Sequence, residues 1–252
     1  MTAWLAAVLA AAAFAPPPAN AHFDYQIGDP YPAPRSVRVV SRDWAEGKPL
    51  RRGYSVCYVN AFQTQPDAEW PADLVLRELG DDPNWGGEYL LDISTRAKRR
   101  RIAALLQPMI ETCARKGFDA VEYDNLDSWT RFDDTPREGD VPFGKRAALA
   151  YARQMTRRAH ALGLAVAQKN TVELTRSQVR RVGFDFAIAE ECGRYRECDG
   201  YRKVYGDHFV VIEYRRRDFR AACRSVGRQV SVVLRDRNVT APGSRSYRYD
   251  EC

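Results

Sequence analysis

Nine short apolar runs, most of them closing on an acid or another polar side chain, alternate with helical patterns along this chain. They cover 23–27, 36–40, 54–62, 89–93, 118–124, 164–170, 184–192, 209–214 and 229–236. Ile102, Leu105, Leu106, Met109, Ile110 and Cys113 recur at helical spacing before Gly117, a residue suited to ending a helix. Pro108 inside that stretch is expected to kink or split it. Ala148, Tyr151, Ala152, Met155 and Ala159 mark a second helix, Lys145–Leu162, stopped at Gly163. Residues 65–88, rich in Pro, Asp, Trp and Gly, read as loops around one short helix. Neighbouring parallel strands need a crossover, and strands buried on both faces are apolar throughout. The alternation therefore predicts an α/β fold, a (β/α)8 TIM-type barrel. Nine candidates against eight strands leave one that is an extra peripheral strand or part of a long loop.

The 252 residues suffice for one such barrel, and no linker or repeat divides them, so residues 22–252 read as a single domain. Net charge is +6, but the basic runs (96–101, 157–158, 180–181, 215–217) fall on expected helix surfaces. No recognition motif accompanies them, and no nucleic-acid partner is expected. Residues 1–21 lack any charged side chain. Their apolar run, Trp4 to Phe14, is followed by Pro16-Pro17-Pro18 and by Ala19-Asn20-Ala21, a small-x-small cleavage pattern. That predicts a signal peptide over 1–21, cut near Ala21, and a secreted or periplasmic protein. The run is too short to span a bilayer, so no stable membrane insertion is expected.

Six cysteines suit an oxidising compartment. Cys192 and Cys198 enclose a short loop. Cys223, on an expected helix, is matched with Cys252 at the chain end, which leaves Cys57 with Cys113. Zinc is the rival, but no C-x-x-C occurs and there are only three histidines. Neither a metal nor a cofactor is expected.

The strand ends carry Asp92, Glu122 and Asp124, Lys169-Asn170, Glu190-Glu191, Glu213-Tyr214 and Asp236. The C-terminal ends of barrel strands form the active-site face, so these groups would share one pocket. Carboxylates with one lysine and one asparagine suit two chemistries. Glycoside hydrolysis needs a protonated carboxylic acid and a second carboxylate. An enolase-type reaction needs acids for Mg²⁺ and a lysine base. Tyr58, Trp70, Trp85, Trp129 and Tyr214 near these ends favour sugar, whose faces stack on aromatic rings.

Six motifs, in order, resemble glycoside hydrolase family 114. They are V-C-Y-V-N-A-F-Q-T-Q (56–65), L-L-D (90–92), G-F-D-A-V-E-Y-D-N-L-D-S-W (117–129), A-H-A-L-G-L-A-V-A-Q-K-N (159–170), F-D-F-A-I-A-E-E-C (184–192) and V-I-E-Y (211–214). The resemblance implies a secreted (β/α)8 endo-α-1,4-polygalactosaminidase acting on galactosamine-rich exopolysaccharide. It implies Asp124 and Glu190 as the catalytic pair, Glu190 as general acid and Asp124 as nucleophile or base. The other pocket residues, Tyr58, Asp92, Glu122, Asn125, Asp127, Lys169, Asn170, Glu213 and Tyr214, would bind substrate or tune that pair. The chain departs from the family pattern at Tyr123, where the family has Pro, and at Ala189 and Glu191 within N-E-Q-C. Neighbouring residues of an extended strand face opposite ways, which selects Glu190 over Glu191. The departures leave a non-catalytic polysaccharide-binding barrel as the alternative, and a Mg²⁺-dependent barrel enzyme as a third reading.

Overall fold

The computed structural model describes residues 14–252. Eight parallel strands run in sequence order around a nearly closed barrel: β1 (Phe23–Gln26), β2 (Val39–Asp43), β3 (Tyr54–Asn60), β4 (Ala120–Asp124), β5 (Ala165–Lys169), β6 (Phe186–Glu190), β7 (Phe209–Glu213) and β8 (Ser231–Arg235). A short ninth strand, β9 (Tyr249–Glu251), pairs antiparallel with β8. Nothing in the local sequence announced it, because three half-buried residues carry no periodicity. β1 lies beside β8. This seam is bridged by side chains: Arg235 Nη1 sits 3.0 Å from Asp24 Oδ1, both groups buried. Asp24 also accepts from Gln26 at 2.6 Å and from the Tyr31 hydroxyl at 2.7 Å. A buried charge needs such partners, and here they close the barrel.

The run 89–93 is the one outside the barrel. It makes only isolated antiparallel bridges, Tyr89 with Asp81, Leu90 with Gln63 and Leu91 with Val75. The expected short helix in 65–88 is instead two single 3-10 turns, Ala72–Leu74 and Arg77–Leu79.

The helices are α1 (Arg96–Lys116), α2 (Lys145–Ala161), α3 (Arg176–Val182), α4 (Cys192–Tyr195), α5 (Cys198–Tyr205) and α6 (Arg216–Val226). α1 is continuous through Pro108, contrary to the expected kink or split. Proline removes one donor, but Ile102, Ala103, Leu106, Ile110 and Cys113 bury one face of the helix. Gly117 ends it at φ +87° in the left-handed region, open to glycine at no cost. α2 buries the five residues its periodicity marked.

All three expected disulfides form: Cys57–Cys113, Cys192–Cys198 and Cys223–Cys252. The first ties β3 to α1 and the third ties α6 to the C-terminus. Of the expected signal peptide, residues 1–13 lie outside the described residues. Phe14 stacks on His160 with ring centroids 3.9 Å apart, and Ala21 O accepts from Ser231 Oγ at 2.5 Å. No helix among the described residues is long and apolar enough to cross a membrane.

Candidate active site

Strand alternation decides which side chains reach the barrel interior. Phe23, Tyr25, Val56, Ala120, Ala165, Ala167, Phe186, Ile188, Val210 and Ile212 pack one interior core. Continuing the same parity up β4, β5 and β6 brings Glu122, Asp124, Lys169 and Glu190 together above it.

Lys169 is the hub. Its Nζ lies 2.9 Å from Glu122 Oε1, 3.0 Å from Asp124 Oδ1 and 3.3 Å from Glu190 Oε2, with the side chain 1% exposed. The Tyr25 hydroxyl lies 3.0 Å from the same nitrogen. Burial disfavours the ammonium, but Asp124, Glu122 and Glu190 outweigh it and push Lys169 above the ordinary lysine value. Glu122 is wholly buried beneath the pair, accepting from Tyr25 at 2.9 Å and Ser41 at 2.7 Å. It cannot touch substrate, so its part is to hold Lys169.

Asp124 accepts from the Tyr58 hydroxyl at 2.7 Å and from the Asn125 N–H at 2.8 Å. Burial raises its carboxyl, but Lys169 and these donors win and hold it below the usual aspartate range. Glu190 accepts from the Tyr214 hydroxyl and from Asn170 Nδ2 at 3.3 Å. The Glu190 N–H in turn donates to Asn170 Oδ1 at 2.9 Å. Asn125 (φ +61°), Asn170 (φ +47°) and Glu191 (φ +58°) each follow a strand end in the left-handed region. The chain thus turns away immediately, leaving the terminal side chains facing the opening.

Two adjoining cavities, about 500 and 240 Å³, form the cleft over these groups, and Trp85, Asn170, Glu190, Tyr214 and Arg237 line both. Eight acids line them: Asp43, Glu88, Asp124, Asp127, Glu173, Glu190, Glu191 and Glu197. Against a chain of net charge +6, the cleft is strongly acidic. Asp127 is pushed up to about 6 by burial and by repulsion from Asp124. Glu88 is pushed up to about 7 by burial and Asp124, although Asn60 Nδ2 donates to it at 2.8 Å.

Of the residues expected in the pocket, Tyr58, Asn125, Asp127, Asn170 and Tyr214 line the cleft. Asp92 does not. It is bound by Lys98 and Ser94 at the start of α1, because its run left the barrel. Glu213 does not either. Its position on β7 points to the helix layer, where Oε1 accepts from the Gly193 N–H at 2.6 Å and Oε2 has no partner among the described residues. Asp236 caps its own turn, accepting from the Thr240 N–H at 3.1 Å. Trp85 stands over the cleft, 43% exposed, while Trp70 and Trp129 pack against the core.

Glu191 corrects a premise. Its backbone is left-handed rather than extended, so it also reaches the cleft, where Arg194 and Arg237 hold its carboxylate at 2.8 and 3.4 Å. Tyr123 and Ala189 face outward. The Tyr123 hydroxyl donates to Met155 O at 3.2 Å, and Ala189 packs beside Ala187 and Val211. Neither departure from the motif therefore touches the cleft. Tyr25, Ser41, Glu88 and Arg237 were not singled out from sequence. Tyr25 and Ser41 lie on short strands whose interior parity could have flagged them, whereas Glu88 and Arg237 come from irregular segments.

Glu213 makes a stability prediction. Burial pushes its carboxyl up to about 7. A group raised on folding stabilises fully below its unfolded value, and that contribution is lost as pH rises through about 7. Glu213→Gln should therefore flatten the fall in stability between pH 5 and 8, by on the order of 2 kcal/mol. Parallel pH–stability curves for the two proteins would show that Glu213 does not ionise differently on folding.

No metal-binding group of three or more His, Cys, Asp or Glu is found among the described residues. The Lys169 ammonium itself fills the point where Glu122, Asp124 and Glu190 converge. No match was found among the curated proteins compared. Among solved structures, Ega3 of Aspergillus fumigatus, in complex with galactosamine, superposes with a TM-score of 0.74 at 18% identity, covering 93% of this chain and 96% of that one. A variant of the glycoside hydrolase domain of PelA from Pseudomonas aeruginosa gives 0.60 at 15% identity, covering 90% and 98%. Both share the fold. The sequence profile of glycoside hydrolase family GH114 matches residues 5–251, nearly the whole length. The chain is a glycosidase and belongs to glycoside hydrolase family GH114.

Proposed function

We propose that this glycosidase is exported and cuts, within the chain, an α-1,4-linked polymer rich in galactosamine. The observation that carries this reading is the acidic cleft on a cationic protein, built around two carboxylates joined through Lys169. A polyamine sugar chain is attracted by such a cleft and repelled by the remaining surface, which orients it toward the site. Ega3, which shares the fold and holds galactosamine, supports the same sugar. Three disulfides and the uncharged leader fit export.

In this reading Asp124, held ionised by Lys169 and Tyr58, is the nucleophile, and Glu190 protonates the departing oxygen. Tyr214 and Asn170 orient Glu190. The Asp124 and Glu190 oxygens both contact Lys169 Nζ, at 3.0 and 3.3 Å, so they lie no farther apart than those two distances combined. That ceiling is shorter than the roughly 6.5–9.5 Å of inverting enzymes and favours a retaining reaction through a glycosyl-enzyme. Proton NMR of the first product should show the α-anomer ahead of mutarotation. Initial release of the β-anomer would sink Asp124 as nucleophile.

The direct test incubates the purified protein with α-1,4-polygalactosamine and follows new reducing ends and chain length. Early appearance of mid-length oligomers is expected. Binding without cleavage after long incubation would defeat the reading.

A further inference from the structure

Against eight acids, Arg237 is the one cationic side chain among the described residues lining the cleft, and it borders both cavities. Its place is built. It follows β8 on a turn fixed by Asp236, whose carboxylate accepts from the Thr240 and Arg248 N–H groups at 3.1 and 3.3 Å. The guanidinium carbon lies 5.4 Å from the Tyr214 ring centroid, and the Tyr214 hydroxyl reaches Glu190. Arg237 is thus one ring away from the proposed acid.

The charge of Arg237 is only partly balanced. Glu191 contacts it at 3.4 Å but shares its single negative charge with Arg194 at 2.8 Å. Among the described residues, Nε and Nη2 of Arg237 have no protein acceptor, and the side chain is 52% exposed. A sugar lying here meets a cation with free donors. An ammonium at that point is repelled, whereas an acetamide carbonyl accepts a charge-assisted hydrogen bond.

We propose that Arg237 sets the acetylation pattern the cleft accepts: the sugar beside Arg237 and Tyr214 carries an N-acetyl group, while sugars along the acidic stretches are free amines. This rests on the galactosamine reading above. The enzyme would cut at a fixed place relative to an acetylated unit in a mostly deacetylated chain.

The test compares wild type, Arg237→Ala and Arg237→Gln on fully deacetylated and on partly acetylated α-1,4-polygalactosamine. It reads kcat/KM and the position of N-acetyl groups in the products by mass spectrometry. Wild type should prefer the partly acetylated polymer and place the acetyl at one fixed distance from the cut. Arg237→Ala should lose about tenfold more on that polymer than on the deacetylated one, and scatter the acetyl position. Arg237→Gln, which can still donate to a carbonyl, should retain part of the pattern. The same acetyl pattern in all three proteins overturns the proposal while leaving the enzyme reading intact. Wild type cutting neither polymer overturns both.

Discussion

Asp124→Asn and Glu190→Gln are each expected to lower kcat on α-1,4-polygalactosamine by roughly 10²–10⁴-fold or more, with the fold intact. The physical reason differs between the two. Asp124 is held ionised by Lys169, Tyr58 and the Asn125 N–H, so the amide keeps the shape but has no lone pair charged enough to attack. Glu190, 23% exposed at the cleft, contacts Tyr214, Asn170 and Lys169, and its amide cannot give up a proton. The two variants separate with an activated aryl leaving group. Such a substrate needs little protonation, so Glu190→Gln should recover the first step, seen as a burst of released aryl group before slow hydrolysis of the glycosyl-enzyme, and Asp124→Asn should show none. Equal recovery would reverse or void the assignment, and unchanged activity on the polymer in either variant would remove that residue from the chemistry.

Lys169→Met should be the most damaging single change for stability. It leaves Glu122, at 0% exposure, and Asp124, at 17%, beside one another without their shared cation. Removing one partner of a buried ion pair costs about 3–5 kcal/mol, because the orphaned charge stays desolvated. Denaturant unfolding would measure it, with a loss under about 1 kcal/mol refuting the hub. Adding Glu122→Gln to Lys169→Met should return part of the stability by removing one orphaned carboxylate. It should not return activity, since Asp124 would lose the ammonium that keeps it ionised. The double variant therefore divides the structural role of Lys169 from its electrostatic role at Asp124.

Much of this protein was legible in sequence. Apolar runs that end in acids and alternate with helical periodicity specify a parallel α/β barrel, because each pattern satisfies only one backbone geometry. The family motifs named Asp124 and Glu190, and cysteine positions gave the three disulfides now seen. Three features were decided elsewhere. The run ending at Asp92 has the composition of a strand, and only competition for barrel edges shows that it pairs with loop residues instead. Glu213 ends a true strand, but parity turns it outward to a buried site below Gly193. Glu191 escapes the alternation rule because its backbone is left-handed, and no propensity scale announces that for a glutamate.

The sequence alone determined the barrel, since it follows from local periodicity, and the family motifs nominated Asp124 and Glu190. The tertiary structure decided that Lys169 bridges them, that Trp85 and Arg237 overhang the opening, and that the acids crowd one cleft. Residues from β1, β4, β5 and β6 meet only once the barrel closes. Coulomb energies depend on those through-space distances and on burial, neither of which is written in the order of residues along the chain.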